Sequence, residues 1–395
     1  MYPTIILKKK REGSALFRHP WIFSGAIDVR PPELAIGDFV RVESDDGRFL
    51  GVGTYSSASS IAVRLFSFVD EVIDEAWIYK TIKLAAERRK LLGYGPNTQT
   101  TGYRLVFGES DNLPGVVIDC FADVFVLQLS TTGVDRLRDI IVKVLEDQFS
   151  PRAIVERSDI SVRSEENLPE VSEVLRGEVN EPVEFLENGI RFLADVINGQ
   201  KTGFFVDQKD LRARLKTITP IGAKVLNVCS YSGATGLATA FRAGSVHHVD
   251  ASQAALDACV KHHEMNKEAK ATYSTERIDM FAYLANHAEE SYDVVLFDPP
   301  ALIKSRKDTE EGKRAYHFLN RAAMRIVKNG GILVTSSCSH FLPEADMAHI
   351  LRRASVQAGV TLDVLDVVYQ SPDHPKSIYA EESSYLKSFI CRVRR

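Results

Sequence analysis

The residues best placed for chemistry are acids and one thiol at the ends of expected strands, the first of them a short apolar run with β-branched residues. Residues 224–229 break into Ser230-Tyr-Ser-Gly-Ala-Thr-Gly236, residues 245–249 deliver Asp250, residues 272–278 deliver Asp279, residues 292–297 deliver Asp298-Pro-Pro300, and residues 331–337 deliver Cys338. Gly233 and Gly236 permit a tight turn in which backbone approaches a ligand closely. An acid at the end of the next strand can accept from ribose hydroxyls, so this stretch reads as a nucleotide site. Its spacing is looser than G-x-G-x-x-G, and an ordinary βα turn is the competing reading. Asp298-Pro-Pro300, at the end of another buried-type strand, weighs for the site. Of the five cysteines, Cys338 falls at a strand's end on the expected ligand edge, where a thiol is exposed enough to be activated. Cys259 and Cys391 fall within a helix and a terminal strand, and Cys229, in the glycine loop, is read as packing inward.

The elements that must hold these residues alternate strand and helix from residue 225 onward. Helices are expected over 209–218, 237–243, 252–267, 280–287, 312–327 and 344–358, with terminal strands over 361–369 and 385–393. Strands ending in Asn227, Asp250, Asp279, Asp298 and Cys338 place those side chains along one edge of a parallel sheet, where open α/β sheets bind ligands. Two runs, 183–187 and 190–194, flank Asn188-Gly189 and form a hairpin signal. The hairpin leads into Gly199-Gln-Lys-Thr-Gly-Phe-Phe-Val-Asp-Gln208, whose glycines, cation, aromatics and carboxylate suit closure over a cofactor, a plain linking loop being the alternative.

Upstream, three short alternating runs (39–43, 49–54, 61–66) have the spacing of a small barrel over residues 1–72. Its front edge carries Lys8, Lys9, Lys10, Arg11 and Arg18 among Phe17, Trp21 and Phe23, a mixture suited to RNA phosphates and base stacking, or else a solvated charge run beside buried aromatics. Residues 73–182 read as a small α/β module: a helix over 74–92, a hairpin of 115–119 and 124–128, an amphipathic helix over 134–149, a strand at 153–156, then a polar loop over 157–173. Residues 183–395 form the third domain. A net charge of -4 excludes a protein that holds nucleic acid by overall charge, so RNA contact must be a local patch. The odd, scattered cysteines without C-x-x-C argue against a disulfide framework and a structural zinc site. No long apolar run and no signal-peptide order appear, which points to a soluble, cytoplasmic protein.

Asn227-Val-Cys-Ser-Tyr-Ser-Gly233, Asp250, Asp279 and Asp298-Pro-Pro300 resemble the S-adenosylmethionine-binding series of class I methyltransferases. The segments Lys201-Thr-Gly-Phe-Phe-Val-Asp-Gln208, Thr335-Ser-Ser-Cys-Ser339, Asp373-His-Pro375 and Tyr385-Leu-Lys387 are similar to the ribosomal RNA large subunit methyltransferase I type, which methylates C5 of a cytosine in large-subunit rRNA. The resemblance spans nearly the whole chain. It implies an α/β protein with a Rossmann-like class I methyltransferase domain, preceded by a PUA-like barrel and a small central α+β domain. It also implies a site for S-adenosylmethionine built from Lys201, Gly203, Phe205, Asp207, Gln208, Asn227, Ser230, Tyr231, Ser232, Gly233, Asp250, Asp279, Asp298 and Pro299, with ribosomal RNA as partner and a homodimer left open.

C5 of cytosine is a poor nucleophile, so a thiolate must first add to C6. In the terms of the resemblance that thiol is Cys338, with Asp298 holding the N3 and amino edge of the base, Asp250 the cofactor ribose and Asp279 its adenine. Many relatives carry a second cysteine after the proline pair; here Ala301 stands there, so product release cannot use one. Other constellations are weaker. Cys259, His262 and His263 share a helix face that could hold a metal, although adjacent histidines on a polar helix more often face solvent, and no metal is expected. Cys338 with His340 lacks a third orienting group. The remaining functional readings are methylation of a base nitrogen such as guanine N7, a non-catalytic RNA-binding assembly factor, and a nucleotide-dependent oxidoreductase.

Overall fold

Short β-branched runs near the N-terminus pair into a six-stranded sheet, in the order Trp21–Phe23, Ile61–Ser67, Phe49–Tyr55, Phe39–Glu43, Thr4–Leu7, Ile27–Val29. Alternate residues of these strands, among them Ile5, Leu7, Ile22, Val40, Val42, Val63 and Leu65, fill its interior. The computed structural model describes residues 2–286, 290–303 and 305–395. These divide into one unit of Met1–Gly189, Leu193–Val206 and Pro372–Ser383, and a second of Ile190–Phe192, Asp207–Ser371 and Ser384–Arg395.

The first unit holds a second sheet of five strands, ordered Ser172–Gly177, Ala153–Arg157, Val124–Leu129, Val116–Phe121, Gly102–Phe107. Helices Glu75–Leu91 and Arg138–Phe149 bury Ile78, Ile82, Ile141 and Leu145 with it. Buried Arg89 forks onto both oxygens of Asp111 at 2.7 Å and also donates to the Asp373 carbonyl, tying the Asp373-His-Pro375 segment into this unit. Strands Gly102–Phe107 and Ser172–Gly177 were not expected; the latter begins within the polar loop expected over 157–173 and is an edge strand with mostly exposed side chains, so it carries no apolar alternation.

The second unit is built on seven strands: β1 (Lys224–Val228), β2 (Ser245–Asp250), β3 (Thr272–Arg277), β4 (Tyr292–Phe297), β5 (Val327–Ser337), β6 (Thr361–Tyr369) and β7 (Lys387–Arg394). Their order is β3-β2-β1-β4-β5-β7-β6, parallel from β3 through β5, with β7 antiparallel to both neighbours. Helices α1 (Lys209–Ile218), α2 (Ala234–Thr239), α3 (Gln253–Met265), α4 (Met280–Asn286), α5 (Thr309–Ile326) and α6 (Glu344–Ala358) connect them. The helix expected over 280–287 is α4, and His287 lies outside the described residues. Leu226, Val228, Val295, Phe297 and Leu333 of the central strands pack with Tyr316 and Leu319 of α5 and Met347 and Leu351 of α6. Such near-continuous apolar runs are what a sheet covered on both faces requires. The chain leaves β1 to one side and returns at β4 on the other, so the sheet reverses between β1 and β4, and a crevice opens there at the carboxyl ends. This is the Rossmann-like domain expected. Among the described residues no helix is long and apolar enough to cross a membrane.

Candidate active site

The loop after β1 is set by backbone conformation. Cys229, Tyr231 and Gly233 have φ of 57°, 46° and 75°, and the left-handed state costs a non-glycine residue roughly 1–2 kcal/mol. Hydrogen bonds offset that cost. Ser230 N donates to the Val249 carbonyl at 3.0 Å, Gly233 N to the Ser230 carbonyl at 2.8 Å, and Tyr231 N to Asp250 Oδ2 at 2.8 Å. The other oxygen of Asp250 accepts from Ser252 N at 2.9 Å, and the Ser252 hydroxyl caps α3. Asp250 thus braces the glycine loop, a task not read from the sequence, and each of its oxygens keeps a second lone pair.

Beneath the loop, Asn227 is buried with its amide 3.3 Å from His248 Nδ1. A Cβ on Gly236 would lie 2.5 Å from the His248 ring and 2.8 Å from that amide, which is why glycine stands there. The hydroxyls of Ser230 and Ser232, both buried, have no hydrogen-bond partner among the described residues, and neither does Oδ1 of Asp207. The other oxygen of Asp207 accepts from the Tyr385 hydroxyl at 2.6 Å, and its carbonyl accepts from Ser371 N at 2.8 Å. Buried polar atoms are rarely left unpaired. Two hydroxyls and a carboxylate oxygen in want of partners fit the α-carboxylate and α-ammonium of S-adenosylmethionine.

Asp298, half-buried just past β4, accepts from Gln208 Nε2 at 2.6 Å, and Gln208 Oε1 lies 3.5 Å from the Thr235 hydroxyl. Burial pushes the Asp298 carboxyl up to about 6; the charge of Asp207 adds to the rise, while the Gln208 bond and the Arg212 charge oppose it. Pro299 is buried behind it. Asp279 is exposed and caps α4, its Oδ1 accepting from Phe281 N at 2.9 Å and Ala282 N at 3.2 Å. Cys229 is held well above the usual thiol range by burial first, then by the charges of Asp298, Asp250 and Asp279, so these three acids gather at one edge.

Cys338 follows β5 directly and is half-buried, outside the hydrophobic cluster of the unit. Cys120, Cys259 and Cys391 are buried, and burial pushes each thiol up to about 12. The strand leading to Cys338 is pinned by side chains: Thr335 donates to Asn320 Oδ1 at 2.7 Å, Ser337 donates to the Tyr316 hydroxyl at 2.9 Å, and Ser336 bonds Ser388 at 2.7 Å. Lys387, opposite Ser337 on β7, donates to the Ser339 carbonyl at 2.6 Å and the Tyr385 carbonyl at 3.0 Å. Burial lowers Lys387 to about 8, while the Cys338 charge favours its cationic form. The Lys387 ammonium is thus held at the carbonyl of the residue that follows Cys338. The sequence reading gave Lys387 no role of its own; its signal there is its place in the Tyr385-Leu-Lys387 segment that carries the resemblance. His340 is exposed, its ring edge-on to Phe341.

Lys201, Gly203 and Phe205 belong to the first unit, where the Thr202 hydroxyl between them donates to Asp119 at 2.6 Å; Asp207 and Gln208 belong to the second. In the N-terminal sheet Lys8, Lys9, Lys10, Arg11 and Arg18 are exposed. Trp21 is engaged from two sides, donating to Glu109 at 2.8 Å with the Arg64 guanidinium 5.5 Å from its ring, whereas Phe17 is 81% exposed. The trio Cys259, His262 and His263 is not brought together: His262 turns away to donate to the Ser232 carbonyl at 2.8 Å.

Residues 153–380 match the family described as S-adenosylmethionine-dependent methyltransferase, the class that this sheet order and glycine crevice define, and residues 5–68 match the PUA-like domain. The solved structure of a protein classed as a methyltransferase and complexed with SAH superposes with a TM-score of 0.84 over 99% of this chain and 100% of its own, at 24% identity. A tRNA m1G37 methyltransferase from M. jannaschii shares the fold more distantly, with a TM-score of 0.53 and 14% identity over 88% of each chain. At full length the similarity is more particular. The chain belongs to the ribosomal RNA large subunit methyltransferase I family: it is 37% identical over 402 residues to the member from Pseudoalteromonas atlantica, covering 100% of both chains. It is 38% identical over 396 residues to the member from Shewanella amazonensis, covering 98% of this chain and 99% of that one.

Proposed function

We propose that this S-adenosylmethionine-dependent methyltransferase transfers methyl to C5 of a cytidine in large-subunit ribosomal RNA, with Cys338 as nucleophile. The observation that carries the reading is the placement of Cys338: half-buried past β5, next to Ser339 whose carbonyl accepts from Lys387, and on the strand that neighbours the strand of Asp298. The thiolate adds to C6 of the base, and the ring electrons displaced toward C5 make that carbon nucleophilic. Asp298, poised between its two protonation states, donates to N3 as charge accumulates there and accepts from the exocyclic amine. Bound S-adenosylmethionine supplies the electrophilic methyl group, held through Ser230, Ser232 and Asp207 at its methionine end and through Asp250 and Asp279 at its nucleoside. A base then takes the C5 proton, and the sulfur leaves C6 with its electron pair, restoring the thiolate. Since Ala301 follows the proline pair, no second thiol there assists.

The three-module division into residues 1–72, 73–182 and 183–395 gives each part a task. The N-terminal sheet offers Lys8, Lys9, Lys10, Arg11 and Arg18 to RNA, with the name of its relatives pointing to ribosomal RNA. A target within a helix must be unstacked first, at a cost of a few kcal/mol.

Turnover by the Cys338→Ala variant tests this function. Methyl transfer should fall by roughly 1,000-fold or more while S-adenosylmethionine binding, read by calorimetry, persists. Near-normal turnover, with methyl found on a base nitrogen, would refute the covalent route.

A further inference from the structure

Under the glycine loop lies a group that the methyl-transfer reading does not use. Cys259 and His263 stand one helical turn apart on α3, and His248 reaches them from β2. One ligand atom from each of the three lies within 4.8 Å of the others, and all three residues are buried. The two Nε2 atoms, of His248 and His263, are 2.9 Å apart, and the Tyr273 ring stacks on His263 at 4.2 Å. A hydrogen bond between the two Nε2 atoms requires one of them to accept, so at least one ring is neutral with its lone pair turned to the other. A hydrogen-bonded histidine pair alone would account for the nitrogens. It does not account for a thiol converging on the same point from an i, i+4 position.

We propose that His248, Cys259 and His263 form a structural binding site for a zinc-type cation, which locks the floor of the S-adenosylmethionine loop. Thiolate with imidazole is the donor set such ions prefer, and two ligands one turn apart on a helix with a third from a neighbouring strand is a usual way to present it. Binding displaces the Cys259 proton, and the proton shared between the two Nε2 atoms moves to a ring Nδ1, so one proton leaves per ion. A Cβ on Gly233 would overlap the Cys259 thiol and one on Gly236 would press on the His248 ring, so the ion would fix the side chains on which both glycines rest. This site departs from the expectation that scattered cysteines leave no zinc centre: helix spacing groups His262 with Cys259 and His263, whereas the third ligand here comes from a strand.

Full-length protein, kept reduced and stripped of metal with a chelator, is titrated with Co2+ and then Zn2+. The expected result is one equivalent of Co2+ with a thiolate-to-cobalt charge-transfer band that Zn2+ abolishes, present in Cys338→Ser and absent from Cys259→Ser. Because Cys259→Ser could also fail to fold, native mass spectrometry of the unaltered protein grown with zinc gives a second reading, with one zinc per chain expected. Absence of the band in the unaltered protein, its survival in folded Cys259→Ser, its loss in Cys338→Ser, or a zinc-free native mass would each overturn the site.

Discussion

At Asp298 the requirements of chemistry and of folding pull in opposite directions. In the proposed reaction the Watson–Crick edge of cytosine presents an acceptor at N3 beside a donor amine, and a carboxyl held at about 6 would meet both near neutrality. Burial raises the carboxyl from an ordinary value of 3.8, so between about pH 4 and pH 6 the folded chain binds more protons than the unfolded one. Stability therefore falls as pH rises through that window and stays lower above it. Asp298→Asn removes the penalty. The variant should melt higher than the parent at pH 7.5, by roughly 2–4 °C per kcal/mol recovered, with the gap closing toward pH 4. A gap independent of pH in a calorimetric series would show that ionisation of Asp298 is not its source. Lys387 carries the same kind of cost with the opposite charge, burial lowering its ammonium to about 8.

At the scale of elements, the loop after β1 rests on two glycines and one acid. Gly236→Ala places a methyl against His248 and Asn227, and overpacking of this kind costs typically ~1–3 kcal/mol. S-adenosylmethionine affinity measured by calorimetry should drop about tenfold, and an unchanged affinity would mean that the loop is not the cofactor's seat. This loop was legible in the sequence because β1 and β4 are mostly buried and leave largely apolar runs that end just before the glycine loop and at Asp298, while β2 ends at Asp250. Other elements left no such trace. Strands Trp21–Phe23 and Ile27–Val29 are three residues long, too short for a period, and Ser172–Gly177 has no buried face. The bracing by Asp250 of Tyr231 and Ser252 was also hidden, since it depends on backbone amides brought close only by the turn.

For the whole molecule, a net charge of -4 makes the exposed cations of the N-terminal sheet the natural place for RNA phosphates. Reversal of Lys9, Lys10 and Arg11 to Glu should weaken binding of an rRNA fragment and lower the slope of log K against log salt by about 2, with S-adenosylmethionine affinity unchanged. An unaltered slope would move the RNA contact elsewhere. The placement of those charges was readable from the sequence, but the engagement of Trp21 by Glu109 and Arg64 was not, because both partners are remote in the chain.

The most direct measurement uses rRNA transcribed with 5-fluorocytidine, incubated with S-adenosylmethionine and the full-length protein, and then denatured. Fluorine at C5 cannot leave as a proton does, so a thiolate that has added to C6 stays attached after methyl transfer. The account predicts a protein–RNA complex that survives denaturation, maps by mass spectrometry to Cys338, and is missing in Cys338→Ala. Methylated RNA with no stable complex, or a complex mapped to another residue, would contradict it.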